Sequence, residues 1–215
     1  MARTFGSNGA KTVESLKKEA TRLIYEHGFE GMNLRMLAEA VGIQPGSLYN
    51  HISNKQDLLH ILLNDVMEEL LEGVEAALMG SATPREALMR FIAFHIQFHA
   101  ERKEDVFIGN AELRSLEPAN FKAIAAKREK YETYLNDIFD AGTRQGQFHI
   151  ADTKVATYAT IAMLTGVCTW YRPGGRHSIG SLVEIYTSMV MNGIDNPGQA
   201  PEPVPARKAT RPRKG

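Results

Sequence analysis

The chain has 215 residues, with 25 Lys and Arg balanced by 25 Asp and Glu and 43% hydrophobic residues. That is one or two domains' worth at about 150 residues each, and the composition excludes wholesale disorder, a collagen-like repeat and a low-complexity scaffold. The single cysteine, Cys168, excludes an internal disulfide and a cysteine-based zinc site, so a reducing, cytoplasmic setting is expected.

Apolar residues recur at helical spacing nearly throughout, and no alternating run bounded by turns marks a strand, so the expected class is all-α. Thr12 is the expected N-cap of a first helix with Leu16, Ala20, Leu23 and Ile24 on its inner face, ended by Gly28. Asn33 caps a short second helix bearing Leu34, Leu37, Ala38 and Val41, closed by Gly42. Pro45 opens a third through His51, and Asn54 caps a long fourth reaching about Leu78. Beyond Gly80-Ser81-Ala82-Thr83-Pro84 come a helix to about Arg102 and a shorter one over 104–116. Pro118 then opens a long helix ending between Gly142 and Gly146.

Asp152 caps a helix expected to run unbroken to Tyr171. Its uncharged stretch Val155–Tyr171 is 17 residues with four threonines and a glycine, short of the roughly 20 mostly apolar residues a bilayer span needs. It is better explained as a helix buried in protein, and Met1–Gly6 lacks the apolar run of an export signal. Pro173-Gly174-Gly175 breaks the chain, and Ser178 or Ser181 opens a last helix closed by Gly193. The tally is nine helices. Gly198–Gly215 holds four prolines and five basic residues with almost nothing apolar, the composition of a disordered tail.

Zero net charge hides an asymmetry. Residues 1–55 carry seven basic residues against five acidic ones, 56–197 carry 13 against 19, and 198–215 carry five against one. Basic ends around an acidic middle suit a chain whose ends meet a polyanion.

Two short helices joined at Val41-Gly42-Ile43 behind a longer first helix have the outline of a helix-turn-helix. Leu23, Ile24, Phe29, Leu34, Leu37, Ala38, Val41, Ile43, Leu48 and Ile52 supply a small core. Gln44, Ser47, Tyr49, Asn50 and His51 are left as polar side chains able to reach phosphates and base edges. Periodicity alone leaves a surface hairpin that binds nothing equally open. The residues themselves go further: Phe29–Leu59, FEGMNLRMLAEAVGIQPGSLYNHISNKQDLL, resembles the N-terminal domain of TetR-family transcriptional regulators. The match lies in the Gly-Phe after the first helix and the L-R-x-L-A-x-x-V-G-I of the second. It continues in the P-G-x-L-Y-x-H of the third and the N-K-x-x-L opening the fourth. Ile52 stands where phenylalanine is commoner, and Gln44 where serine or threonine often is.

That resemblance implies a three-helix DNA-binding domain over 1–53, a six-helix ligand-binding and dimerisation domain over 54–197 and a basic tail over 198–215. It implies Asn33 and Arg35 as phosphate contacts, and Gln44, Pro45, Gly46 and Ser47 at the DNA from the start of the recognition helix. Tyr49, Asn50 and His51 would lie along that helix. Lys55 would meet phosphate at the N-terminus of the fourth helix, where the helix dipole also favours an anion. Tyr49 as a core residue and Gln44 as a backbone clamp stay open.

In the last helix Leu182, Ile185, Tyr186, Met189, Val190 and Gly193 form one apolar stripe, and the helix before it is apolar on two sides. Burial inside a monomer is one explanation; the resemblance implies a homodimer joined by two helices from each chain. Phe91, Phe94, His95 and Phe98 on the fifth helix, with Met163, are expected either in the ordinary core or in a ligand pocket. No metal is expected, because His95 and His99 stand four apart with no third ligand.

The segment Trp170-Tyr171-Arg172-Pro173-Gly174-Gly175-Arg176 resembles the W-Y-x-P-G-G signature of a TetR subgroup tied to acyl-CoA and lipid or steroid catabolism. Trp170 would then line the pocket, and Arg172 and Arg176 would meet the phosphates of a CoA thioester; the alternative is a structural turn with solvated arginines. The implied function is a ligand-responsive repressor that binds an inverted-repeat DNA operator as a dimer. A small amphipathic ligand, an acyl-CoA, would release it, with the long fourth helix as the lever. The alternative effector is a hydrophobic drug-like compound controlling an efflux or detoxification gene. A helical enzyme is a remote alternative, since no phosphate loop, dinucleotide fingerprint, nucleophile elbow or cysteine pair is present.

Overall fold

Gly28 sits at φ 73°, a left-handed conformation that a side chain disfavours, and there the first helix bends. The computed structural model describes residues 7–195, and the expected basic tail lies outside the described residues. Helix α1 (Ser7–Gly31) starts before Thr12, which therefore lies inside it and does not cap it. Leu16, Ala20, Leu23 and Ile24 are buried, as their spacing requires. Helix α2 (Leu34–Val41) is capped by Asn33, whose side chain accepts from the amides of Arg35 and Met36 at 3.1 and 3.0 Å. Gly42 at φ 73° closes it. Helix α3 (Pro45–Leu48) is shorter than expected; hydrogen-bonded turns carry the chain through His51 to Ile52.

Helix α4 (Lys55–Leu78) is capped by Asn54 and buries Leu58, Leu59, Leu62, Leu63 and Met67 along one face. Helix α5 (Pro84–Glu101) runs through the centre, with Leu88, Phe91, Ile92, His95 and Ile96 fully buried. Around it stand α4, α7 (Pro118–Arg144), α8 (Thr153–Thr165) and α10 (Ile179–Ile194). The short helix expected over 104–116 is α6 (Lys103–Ala111) followed by a 3-10 turn at Leu113–Ser115. Arg85 on α5 pairs with Asp195 at 2.6 Å and ties down the end of α10.

The helix expected to run unbroken to Tyr171 does not. It breaks at Gly166, and a separate turn α9 (Val167–Trp170) follows. Just past the break the Thr169 amide and hydroxyl both donate to the Gly166 carbonyl, at 3.1 and 2.8 Å, a tighter i−3 pairing than the helix's own. Among the described residues there is no strand, and no helix is long and apolar enough to cross a membrane.

Candidate DNA-binding surface and ligand cavity

The helix-turn-helix core forms from Ile24, Phe29, Met32, Leu37, Ala38, Leu48 and Ile52, all buried, with Leu34, Val41 and Ile43 packed at its margin. Met32 completes this core although its spacing did not mark it. Burial of that face leaves Arg35, Gln44, Pro45, Gly46, Ser47, Tyr49 and Asn50 exposed together on the other, with His51 half-buried beside them. Tyr49 is 60% exposed, so it is no part of the core. Asn33 spends its Oδ1 on the α2 cap, which leaves its amide NH₂ as the group able to meet an anion. Lys55 is held: its Nζ donates to the Glu30 carbonyl at 3.3 Å and lies 4.3 Å above the Phe29 ring.

This small unit is latched to the rest at several points. Thr21 Oγ1 donates to Asp105 at 3.2 Å, and Lys17 pairs with Asp65 at 2.5 Å. Tyr25 meets Phe107 edge-on at 5.0 Å. Gln56 on α4 donates to the Ser115 carbonyl at 2.8 Å and accepts from the Glu117 amide at 3.1 Å.

Behind the latch, α4 to α8 line a half-open cavity of about 110 Å³. Leu63, Met67, Leu70, Phe98, Ile124 and Ile161 make its apolar wall. A polar strip faces them: His95, His99, Asp105, Arg128, Tyr131 and Glu132. His95 bonds Tyr131 at 2.9 Å and Thr165 at 3.1 Å, and its ring stacks on His99 with centroids 3.7 Å apart. Burial holds His95 well below the usual histidine range, helped by its neighbour His99. Burial likewise pushes His99 down to about 4, against the hydrogen bond its Nδ1 donates to the His95 carbonyl and with the charge of Arg128 adding to the fall. Both imidazoles are therefore neutral near pH 7. Burial raises the Asp105 carboxyl, opposed by Arg102 and the Thr21 hydroxyl, and lifts the Tyr131 phenol well above its usual value.

Residues 81–194 match the model of the tetracyclin repressor-like C-terminal domain, and residues 17–62 that of bacterial regulatory proteins of the tetR family. The chain belongs to the TetR family. Among its relatives is the transcriptional repressor KstR2 of Rhodococcus jostii strain RHA1, 25% identical over 203 residues, 90% of this chain and 95% of that protein. The fatty acid metabolism regulator of Bacillus subtilis strain 168 is 23% identical, covering 82% of this chain and 92% of its own length. The crystal structure of AibR in complex with isovaleryl coenzyme A and operator DNA superimposes with a TM-score of 0.77 at 26% identity. It covers 83% of this chain and 97% of that one.

As a TetR-family member the chain is a helix-turn-helix transcriptional regulator, and its expected ligand residues scatter. His95 and Phe98 line the cavity. Phe91 does not: it is wholly buried behind the wall, tilted against Tyr131 at 5.3 Å. Phe94 covers Gly73 of α4, where an added methyl would meet its ring at 2.5 Å. Met163 packs half-buried against the core outside the cavity. Trp170, Arg172 and Arg176 are exposed and away from the lining: α9 buries Val167 and Cys168 and leaves Trp170 on its outer side, and the chain beyond it runs over the surface.

Arg128, Tyr131 and Glu132 were missed, although a signal existed. Ile124, Arg128, Tyr131 and Leu135 follow i, i+4, i+7 and i+11 on α7, so Arg128 is a cation in a core stripe.

The single stripe expected on the last helix is two faces. Leu182 and Val190 are buried within this chain, where α10 packs on α5. Ile185 and Met189 are 41% and 55% exposed, and Tyr186 is half-buried between the two faces. On α8, Val155, Tyr158, Ala159 and Ala162 likewise face outward at helical spacing.

Proposed function

We propose that this TetR-family regulator is a cytoplasmic, non-catalytic repressor, released from an inverted-repeat operator when the acyl end of a CoA thioester enters the α4–α8 cavity. One observation carries the reading. Helix α6 lines the cavity through Asp105, Val106, Gly109 and Asn110, and holds α1 through Asp105–Thr21 and Phe107–Tyr25. An occupant that displaces α6 therefore displaces the helix-turn-helix. This adds α6 to the lever expected of α4 alone.

The cavity is amphipathic and smaller than the roughly 300–1,000 Å³ of sites that engulf a drug-sized ligand. It suits an acyl group whose bulky polyanionic head stays outside; Arg172 and Arg176, exposed though away from the lining, would be the cations that meet its phosphates. The isovaleryl coenzyme A in the AibR complex favours the same ligand class, and the fatty acid metabolism named for the Bacillus subtilis relative favours an acyl group. Residues 1–53 would form the DNA-binding unit and 54–197 the ligand-binding and dimerisation unit. Two copies would join through the outward faces of α8 and α10, covering Val155, Tyr158, Ile185 and Met189. Asn33, Arg35, Gln44, Pro45, Gly46, Ser47, Tyr49, Asn50, His51 and Lys55 would meet the DNA.

For release, the ligand must bind the DNA-incompetent shape more tightly, since equal affinity for both shapes shifts nothing. Fluorescence anisotropy with DNA from upstream of the protein's own gene tests this. Binding that is lost on adding CoA thioesters of graded chain length supports the reading. Release by hydrophobic drug-like compounds and by no thioester would favour the efflux alternative.

A further inference from the structure

His99 is 6% exposed and lines the cavity. Its Nδ1 lies 2.9 Å from the backbone carbonyl of His95. A carbonyl only accepts, so Nδ1 carries the ring's proton and Nε2, on the opposite edge, holds a bare lone pair. Nε2 has no protein partner among the described residues and is not one of the sealed, partnerless atoms, so it reaches the cavity surface.

Arg128 stands in the same wall. Its Nη2 donates to the Gly109 carbonyl at 2.8 Å and to Asn110 Oδ1 at 3.0 Å. Its Nε and Nη1 have no acceptor, and no carboxylate lies within 4.0 Å of it, among the described residues. An imidazole acceptor without a donor and a guanidinium with donors to spare thus line the same small amphipathic cavity. Leaving either unpaired on ligand entry costs the desolvation of a polar group.

We propose that the cavity recognises a hydroxyl on the acyl part of its ligand, with the hydroxyl donating to His99 Nε2 and accepting from Arg128. The proposal rests on the CoA-thioester reading above and narrows its class to hydroxyacyl groups. The other oxygen and nitrogen functions fit less well. A ketone satisfies Arg128 and leaves the His99 lone pair facing another acceptor. A carboxylate does the same and also meets Asp105 and Glu132, which line the same cavity. An ammonium group would satisfy His99 but confront Arg128. A hydroxyl donates and accepts through one small uncharged atom; a carboxamide also does both, but needs room for two heavy atoms where the cavity holds about 110 Å³.

The test is calorimetry of the full-length protein with hexanoyl-CoA and its 3-, 5- and 6-hydroxy derivatives, with the matching oxo and carboxy thioesters as controls. The free hydroxylated and unsubstituted hexanoic acids run beside them. We expect at least one hydroxyacyl-CoA to bind about fivefold or more tighter than hexanoyl-CoA, the effect of roughly one net hydrogen bond. His99→Phe keeps an aromatic ring and removes the Nε2 lone pair along with the Nδ1 donor, so it should abolish that preference; His99→Gln, which retains an acceptor, should restore part of it. If His99→Phe folds poorly, the wild-type ranking decides alone: the hydroxyl must outrank the oxo and carboxy compounds. Thioester binding with no hydroxyl preference at any position, or a preference that survives His99→Phe, overturns the proposal and leaves the CoA reading intact. Hydroxy acids preferred by the same margin, with no thioester bound, overturn the CoA reading alone. No binding by any of these compounds overturns both.

Discussion

The backbone N–H of Phe29 donates to the carboxylate of Glu112 at 3.0 Å, across 83 positions of sequence. The bond lands immediately after the left-handed Gly28, where the bent helix frees that amide from its own turn. Ser115 Oγ donates to the other carboxylate oxygen at 2.7 Å and steadies it. The turn after α6 therefore satisfies the backbone at the entry to the helix-turn-helix.

Removing that acceptor should cost stability. Glu112→Ala leaves the Phe29 amide partly buried without a partner, a loss of about 1–2 kcal/mol. Thermal melting should fall by roughly 2–4 °C per kcal/mol for a chain of this size. Glu112→Gln keeps an acceptor oxygen and should melt close to wild type. Equal losses for both variants would show that charge, and not the hydrogen bond, holds the junction.

Stability should also depend on pH through the buried histidine pair. His99 falls from the ordinary 6.5 to about 4 in the folded protein, and His95 falls well below 6.5. The unfolded chain then binds more protons than the folded one, so stability is complete above pH 6.5 and is lost as pH falls toward 4. For His99 alone the loss is roughly 3 kcal/mol at 1.36 kcal/mol per unit. Chemical denaturation from pH 7.5 to 4.5 should show this decline, and His99→Gln should make it shallower. A slope unchanged by that variant would place the titration elsewhere.

At the DNA, two substitutions should behave differently. Lys55→Ala should weaken binding to every sequence and reduce the salt slope by about one unit. Gln44→Ala should shift preference among operators by about 1–3 kcal/mol if its contact is bidentate to a base. Equal losses on all sequences for both would make Gln44 a backbone clamp.

Assembly should hinge on the outward faces. Ile185→Glu or Met189→Glu should yield a monomer in sedimentation and lose operator affinity, since two half-sites about 34–36 Å apart need both recognition helices. Leu182→Ala, on the inward face, should lower the melting temperature instead. A dimer that persists in both glutamate variants would move the interface elsewhere.

The sequence alone determined the all-helical class, most helix ends and the helix-turn-helix surface, because those features are local. Asn33, Gly42 and Asn54 act on amides within a few residues, and the apolar positions of α1 and α2 are set by a repeat shorter than one helix. The same logic failed at Gly166: helical spacing on both sides hid a local switch to i−3 pairing, where the Thr169 amide and hydroxyl both donate to the Gly166 carbonyl.

A local pattern flagged Arg128 as a cation in a core stripe but did not show that a cavity opens beside it. Phe91, Phe94 and Phe98 share one helix, yet only Phe98 lines the space, because α7 covers the first and Gly73 of α4 receives the second. Arg128 and His99 lie 29 positions apart, and each stands in an apolar stripe that spacing assigns to the core. Whether such a position is filled by a neighbour or left open depends on how helices distant in sequence fit against one another. Packing therefore decided the cavity, while helix periodicity had already decided which face of the helix-turn-helix is exposed.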